Sequence, residues 1–183
     1  MSTTTFPSPR HTKLPIADLV QLAEPPAEPL TVTELTLLVG ALGDLPALWA
    51  PKMRRPERDR WWIQLHGDEL VDVWLLTWLP GHATDLHDHG ESAAAFTVVR
   101  GLLEEIRPTA TGGRSLTRRP TGASARIEPG VIHDVRAIDG APAASIHAYS
   151  PPLRQMTYWN VGPDGRLCPD RTVITHEPEQ VPA

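Results

Sequence analysis

The apolar positions of this chain change period once, near residue 60. Before that point they follow a helical spacing. Residues 14–23 predict a short helix, with Pro15 in its first turn and Ile16, Leu19 and Val20 on one face. Pro25, Pro26 and Pro29 end it. Thr31-Val32-Thr33-Glu34 predicts a capping box, in which Thr31 accepts from the Glu34 amide and the Glu34 carboxylate reaches back. Leu35, Leu38, Val39 and Leu42 then recur at i, i+3, i+4 and i+7, with Gly43 as the expected C-cap.

Beyond residue 60 the period is two. Strands are expected at 61–65, 71–79, 94–100, 102–107, 115–118, 124–127, 131–138, 143–149 and 155–161. Gly101, Thr111-Gly112-Gly113, Thr121-Gly122, Glu128-Pro129-Gly130 and Asp139-Gly140 supply the turns between them. The run 71–79 is apolar on both faces in its later part, which places it centrally. Many short strands punctuated by Gly and Pro predict a mainly β sandwich or small barrel, with the short N-terminal helices packed outside. One domain is expected over 14–162. The Pro-, Ser- and Thr-rich stretch 1–13 is expected to be disordered, and 163–183 to form a tail lying loosely on the surface. The charged stretch 54–60 is expected to be a solvated connection.

Composition narrows the function. At 183 residues the chain is long enough for one real core. A net charge of −5 argues against a dedicated nucleic-acid binder, which needs clustered positive charge. The lone cysteine, Cys168, excludes a disulfide framework and fits a reducing cytoplasm. No apolar run approaches the ~20 residues of a membrane span, and residues 1–12 lack the apolar segment of a signal peptide. The expectation is a cytoplasmic monomer or small homo-oligomer, with neither nucleic acid nor membrane among its partners.

The candidate chemistry begins at His87-Asp88-His89. On a strand, side chains at i and i+2 share a face, so both imidazoles can reach one ion. Pro129-Gly130-Val131-Ile132-His133 offers a third histidine just after a tight turn. This combination resembles the two motifs of the cupin superfamily, a small jelly-roll-like β-barrel with a metal in its mouth. Many cupins add a carboxylate a few residues past the pair. Here Ala93, Ala94 and Ala95 hold that place, and Glu91 lies too near His89. The expected ligands are therefore His87, His89 and His133, with no anion. Three neutral imidazoles leave a divalent ion its full charge for an incoming thiolate and a reduced oxygen species. Thiolate softness favours iron over magnesium or calcium. Ser145, His147 and Tyr149, at i, i+2 and i+4 of one strand, share a face and form a candidate catalytic series.

Taken with Ser150-Pro151-Pro152, these residues closely resemble cysteine dioxygenase, the thiol dioxygenase branch of the cupins, over about residues 60–160. The resemblance implies a mononuclear Fe(2+) on the three histidines. It implies a small thiol substrate bound through sulfur, with O2 beside it and both oxygen atoms delivered to sulfur. It implies a proton or hydrogen-bond relay through Ser145, His147 and Tyr149. Two features depart from it. The cysteine that some members crosslink to the tyrosine is Ala94 here, so no thioether is expected at Tyr149. The family's carboxylate-binding arginine aligns with Gln64, and relatives with glutamine there include enzymes acting on 3-mercaptopropionate. Arg60, four residues earlier, is the alternative carboxylate ligand, although its charged stretch predicts a surface position. The expected reaction converts L-cysteine and O2 to cysteine sulfinic acid. The alternatives are 3-mercaptopropionate or another small thiol, or a metal-binding cupin without thiol chemistry. His11, His66, His82 and His176 are expected to be solvated or structural, and the tryptophans to be core.

Overall fold

The computed structural model describes residues 28–54, 60–138 and 140–178. The expected helix 14–23, the stretch 1–13 and most of the charged connection lie outside these residues. Helix α1 (Val32–Gly43) starts with the predicted capping box: Glu34 N donates to Thr31 Oγ1 at 3.3 Å, and Thr31 N to Glu34 Oε2 at 2.8 Å. Its buried face is Val32, Leu35, Leu38, Val39 and Leu42. The C-cap is Asp44 rather than Gly43. Gly43 serves packing instead, because a Cβ there would lie 3.1 Å from Thr97 Cγ2. A short helix α2 (Pro46–Trp49) and a 3-10 turn (Ala50–Lys52) lead toward the sheets.

The strands are β1 (Trp61–Gly67), β2 (Asp72–Trp78), β3 (His87–Asp88), β4 (Ala93–Arg100), β5 (Leu102–Pro108), β6 (Arg114–Pro120), β7 (Ser124–Ile127), β8 (Asp134–Ala137), β9 (Ala143–Ser150), β10 (Gln155–Val161) and β11 (Leu167–Ile174). One face is a five-stranded sheet, β1-β2-β9-β4-β7. The other comprises two three-stranded sheets, β11-β10-β3 and β6-β5-β8. The isolated bridges His87↔His133 and Ala83↔Arg136 join these two along a seam. The architecture is the expected mainly β, cupin-type fold.

Strand β2 explains its own two-sided hydrophobicity. Trp74, Leu76 and Trp78 point into the space between the sheets, with Phe96, Val98 and Tyr149. Val73 and Leu75 point outward beneath α1, with Ala95, Ala144 and Ile146. Each fully buried aliphatic side chain contributes about 1.5–3 kcal/mol, so α1 is held by its stripe rather than by helix propensity. The C-terminal segment departs from expectation. Residues 167–174 are not a loose tail but β11, which pairs with β10 from Gln155↔Ile174 to Val161↔Leu167. Its side chains are mostly exposed, so its register comes from backbone pairing and no apolar alternation marks it.

Candidate metal centre and relay

The seam between the two outer sheets brings the three histidines together. His87 lies on β3 and His89 just past it. Asp88 points the other way, accepting from Gly90 N at 2.8 Å and Trp159 Nε1 at 2.7 Å. These bonds pin the turn that aims both imidazoles inward. His133 faces His87 across a bridge in which each backbone amide donates to the other's carbonyl at 2.9 Å. His87, His89 and His133 are 3%, 4% and 2% exposed. One ligand atom from each lies within 4.8 Å of the others, a group that can hold a metal ion.

The donor set fits a metal on further grounds. His87 Nε2 and His89 Nε2 are 3.2 Å apart. Two bonds of about 2.1 Å to one ion, at 90–109°, require a separation of ~3.0–3.4 Å. Asp85, at φ 58° in the left-handed region, presents its carbonyl to His87 Nδ1 at 3.0 Å, so that nitrogen carries the proton and Nε2 is a free donor atom. His133 Nε2 is buried with no hydrogen-bond partner among the described residues. Burial, reinforced by neighbouring positive charge, holds His87 and His89 well below the ordinary histidine pKa, so both are neutral.

A carboxylate stands behind this set, and the sequence reading missed it. Glu105, on the inward face of β5, is 1% exposed. Its Oε1 is 3.1 Å from His133 Nδ1 and accepts from Arg107 Nε at 2.9 Å and Nη2 at 2.7 Å. Its Oε2 accepts from Arg119 Nε at 2.9 Å and from Arg119 Nη2. Burial opposes ionisation of Glu105, but the His133 contact and the two arginines outweigh it and hold its pKa down at about 2. The signal was present in the alternation Leu103, Glu105, Arg107, which puts charge on the core side of a strand. Ala93, Ala94 and Ala95, next to the histidine pair in sequence, are buried.

Strand β9 carries the series Ser145, His147 and Tyr149 into the same interior. They lie opposite Leu76, Trp74 and Asp72 of β2 and Val98, Phe96 and Ala94 of β4. Ser145 Oγ is 2.8 Å from His147 Nε2. Trp78 Nε1 donates to Ser145 Oγ at 2.8 Å, an addition the sequence did not reveal. Phe96 stacks on His147 at 4.9 Å between ring centroids, and burial drops the His147 pKa to about 3. The Tyr149 ring lies 5.0 Å from that of His89 and 6.4 Å from that of His147. Cys168, on β11, is exposed and remote in strand order from Tyr149, whose neighbour on β4 is Ala94.

The two candidate carboxylate ligands differ from expectation in burial. Gln64 is exposed at the middle of β1, and its Nε2 donates to Asp72 Oδ1 at 3.1 Å. Neither it nor Arg60 is among the residues that wall the cavity at the histidines; Arg60 reaches that wall through Trp78. Residue parity puts Gln64 opposite Trp74 of β2, but β1 is the edge strand of its sheet and the Gln64 side chain is taken up by Asp72. Arg60, expected at the surface, is only 4% exposed. Its guanidinium stacks over Trp78 at 4.2 Å from the ring, and Nη2 donates to Ala83 O at 2.7 Å. The site cavity is about 10 Å³, walled by Leu76, Trp78, Val135, Met156, Tyr149 and Pro178 around the histidines. Pro178 belongs to the segment after β11, held by Thr175 N donating to Arg154 O at 3.0 Å and by Arg154 Nη1 against His176 Nδ1 at 2.9 Å.

The sequence profile of the family described as cysteine dioxygenase type I matches residues 8–161. No curated protein matches the chain. Among solved structures, it is similar to an uncharacterised protein with a double-stranded β-helix domain from Klebsiella pneumoniae, at 16% identity and TM-score 0.47, covering 67% of this chain and 88% of that one. It is similar to a protein from Thermus thermophilus at 22% identity and TM-score 0.49, covering 59% and 94%. It is also similar to an RmlC-like cupin from Desulfovibrio desulfuricans at 20% identity and TM-score 0.48, covering 55% and 91%. No single helix among the described residues is long and apolar enough to cross a membrane.

Proposed function

The chain belongs to the cysteine dioxygenase type I family, and from that premise we propose that it is an Fe(2+)-dependent thiol dioxygenase acting on a small thiol that carries a carboxylate. L-Cysteine is the first substrate, giving cysteine sulfinic acid, and 3-mercaptopropionate is the alternative. The reaction RS⁻ + O2 → RSO2⁻ balances without an external reductant: sulfur gives up four electrons and O2 accepts them. The observation that carries this reading is the set of three buried, converging imidazoles beside Ser145, His147 and Tyr149.

His87, His89 and His133 would hold the iron, which supplies open coordination positions and redox chemistry for thiolate and O2. The protein's residues divide the remaining work. Arg60 receives the substrate carboxylate; its burial makes each charge-assisted hydrogen bond stronger than it would be in water. An indole N–H can only donate, so Trp78 leaves the Ser145 hydroxyl proton for His147 Nε2. When that proton is donated to Nε2, His147 is the Nδ1–H tautomer, with its ring beside Tyr149. The Tyr149 phenol then serves as the hydrogen-bond or proton donor at the reacting oxygen. Leu76, Val135, Met156 and Pro178 exclude water. A reducing compartment, where such thiols stay free, suits the exposed thiol of Cys168.

The test is oxygen uptake by iron-loaded protein with cysteine, 3-mercaptopropionate and cysteamine, measured with iron content on the same sample. Thiol-dependent uptake should yield sulfinate carrying two labelled oxygens from 18O2. Absence of uptake with every thiol, at full iron content, would overturn the proposal.

A further inference from the structure

We propose that Glu105 is the positioning residue of the metal centre: its carboxylate, clamped between Arg107 and Arg119, holds the His133 ring with Nε2 turned toward His87 and His89. The inference rests on the metal site proposed above and deepens it. Glu105 sits one hydrogen bond behind His133, at 3.1 Å from Nδ1. An ionised carboxylate can only accept, so Nδ1 must carry the proton and Nε2 must be the lone-pair nitrogen. His87 solves the same problem with the Asp85 carbonyl at 3.0 Å. The two solutions differ in charge: one is a neutral dipole, the other an anion.

That anion changes the account of the missing carboxylate. The expected ligand set of three imidazoles has no negative charge, and the structure puts one directly behind His133. Its charge is tempered by two arginines, each anchored elsewhere. Arg107 Nη2 donates to Arg126 O at 2.5 Å, and Arg119 Nη1 to Ser124 O at 2.7 Å. Both carbonyls belong to β7, in the opposite sheet. The carboxylate therefore cannot turn away from His133 without breaking its bonds to arginines that are themselves held across the sheets. Arg119 also lies 5.9 Å over Phe96, whose ring stacks on His147. A single clamp thus fixes a metal ligand and one wall of the relay.

The experiment has two arms. In metal-free wild-type protein, long-range 15N–1H correlation of the His133 ring should show Nδ1–H with Nε2 unprotonated; an Nε2–H tautomer overturns the proposal. In Glu105→Gln, Co(2+) affinity by chelator competition should weaken ~10–100-fold, with altered d–d bands. Affinity within threefold of wild type in a folded Glu105→Gln protein overturns it, since a carboxylate that only ties sheets together would change melting temperature but not affinity. If Glu105→Gln does not fold, the wild-type tautomer decides alone. Wild-type protein that binds no Co(2+) overturns the metal site and this role with it. Normal wild-type binding with an indifferent variant overturns this role only.

Discussion

Replacing Arg60 by Met tests where substrate is anchored. The side chain is 4% exposed, donates to Ala83 O at 2.7 Å and stacks on Trp78 at 4.2 Å. Losing a hydrogen bond from a charged group costs about 1.5–3 kcal/mol, and losing a desolvated cation–π contact about 1–2 kcal/mol. Removing a buried charge returns several kcal/mol of desolvation, and Met fills most of the same volume. The two sides nearly cancel, so the urea midpoint should move little and the fold survive. Binding should change far more. A carboxylate that loses charge-assisted hydrogen bonds worth about 1.5–3 kcal/mol binds ~10–150-fold more weakly. The assay is anaerobic titration of the metal-loaded protein, following the thiolate-to-metal charge-transfer band. Kd for cysteine and 3-mercaptopropionate should rise by that factor, while cysteamine, which lacks a carboxylate, stays within about threefold. Equal weakening for all three thiols would make Arg60 a structural residue, and no weakening would remove it from the site.

Trp78→Phe deletes the donor to Ser145 and part of a fully buried ring system. It should cost about 2–3 kcal/mol in urea unfolding and lower kcat more than thiol binding; a stability loss below 1 kcal/mol would contradict the packing. Acid should destabilise the metal-free protein in two windows. His147 has its pKa lowered to about 3, and His87 and His89 are lowered as well, so the unfolded chain takes up protons first as pH falls below ~6.5. Stability is therefore complete above that value and should drop by about 2–4 kcal/mol between pH 7 and 5.5, at up to ~1.4 kcal/mol per unit per group. Glu105, lowered to about 2, adds a loss below ~4.5; a flat urea midpoint down to pH 5 would refute the buried neutral histidines. Deleting residues 176–183 removes Pro178 from a cavity of about 10 Å³, room for about one water. The rate with N-acetylcysteine relative to cysteine should rise, and an unchanged ratio would mean that Pro178 does not gate size. Intact mass should show no loss of two hydrogens at Tyr149.

The local statements were legible in the sequence because they depend on spacing. The capping box at Thr31, the face shared by His87 and His89 and the series Ser145, His147, Tyr149 follow from residue spacing, and His133 from the tight turn before it together with the family resemblance. Spacing survives whatever the chain packs against. The strand β11 was not legible, because an exposed edge strand carries no apolar alternation and its pairing is purely backbone. Arg60 and Gln64 share a parity, and only depth separates them. The chain crossing at Ala83 and Trp78 buries Arg60, while the edge strand β1 leaves Gln64 exposed and bonded to the buried Asp72. Glu105 and Pro178 are the same case. A residue's type and periodicity say which way it points, but burial, and with it charge strength, pKa and tautomer, is set by the segment that closes over it. That segment is chosen only when the two sheets come together around the three histidines.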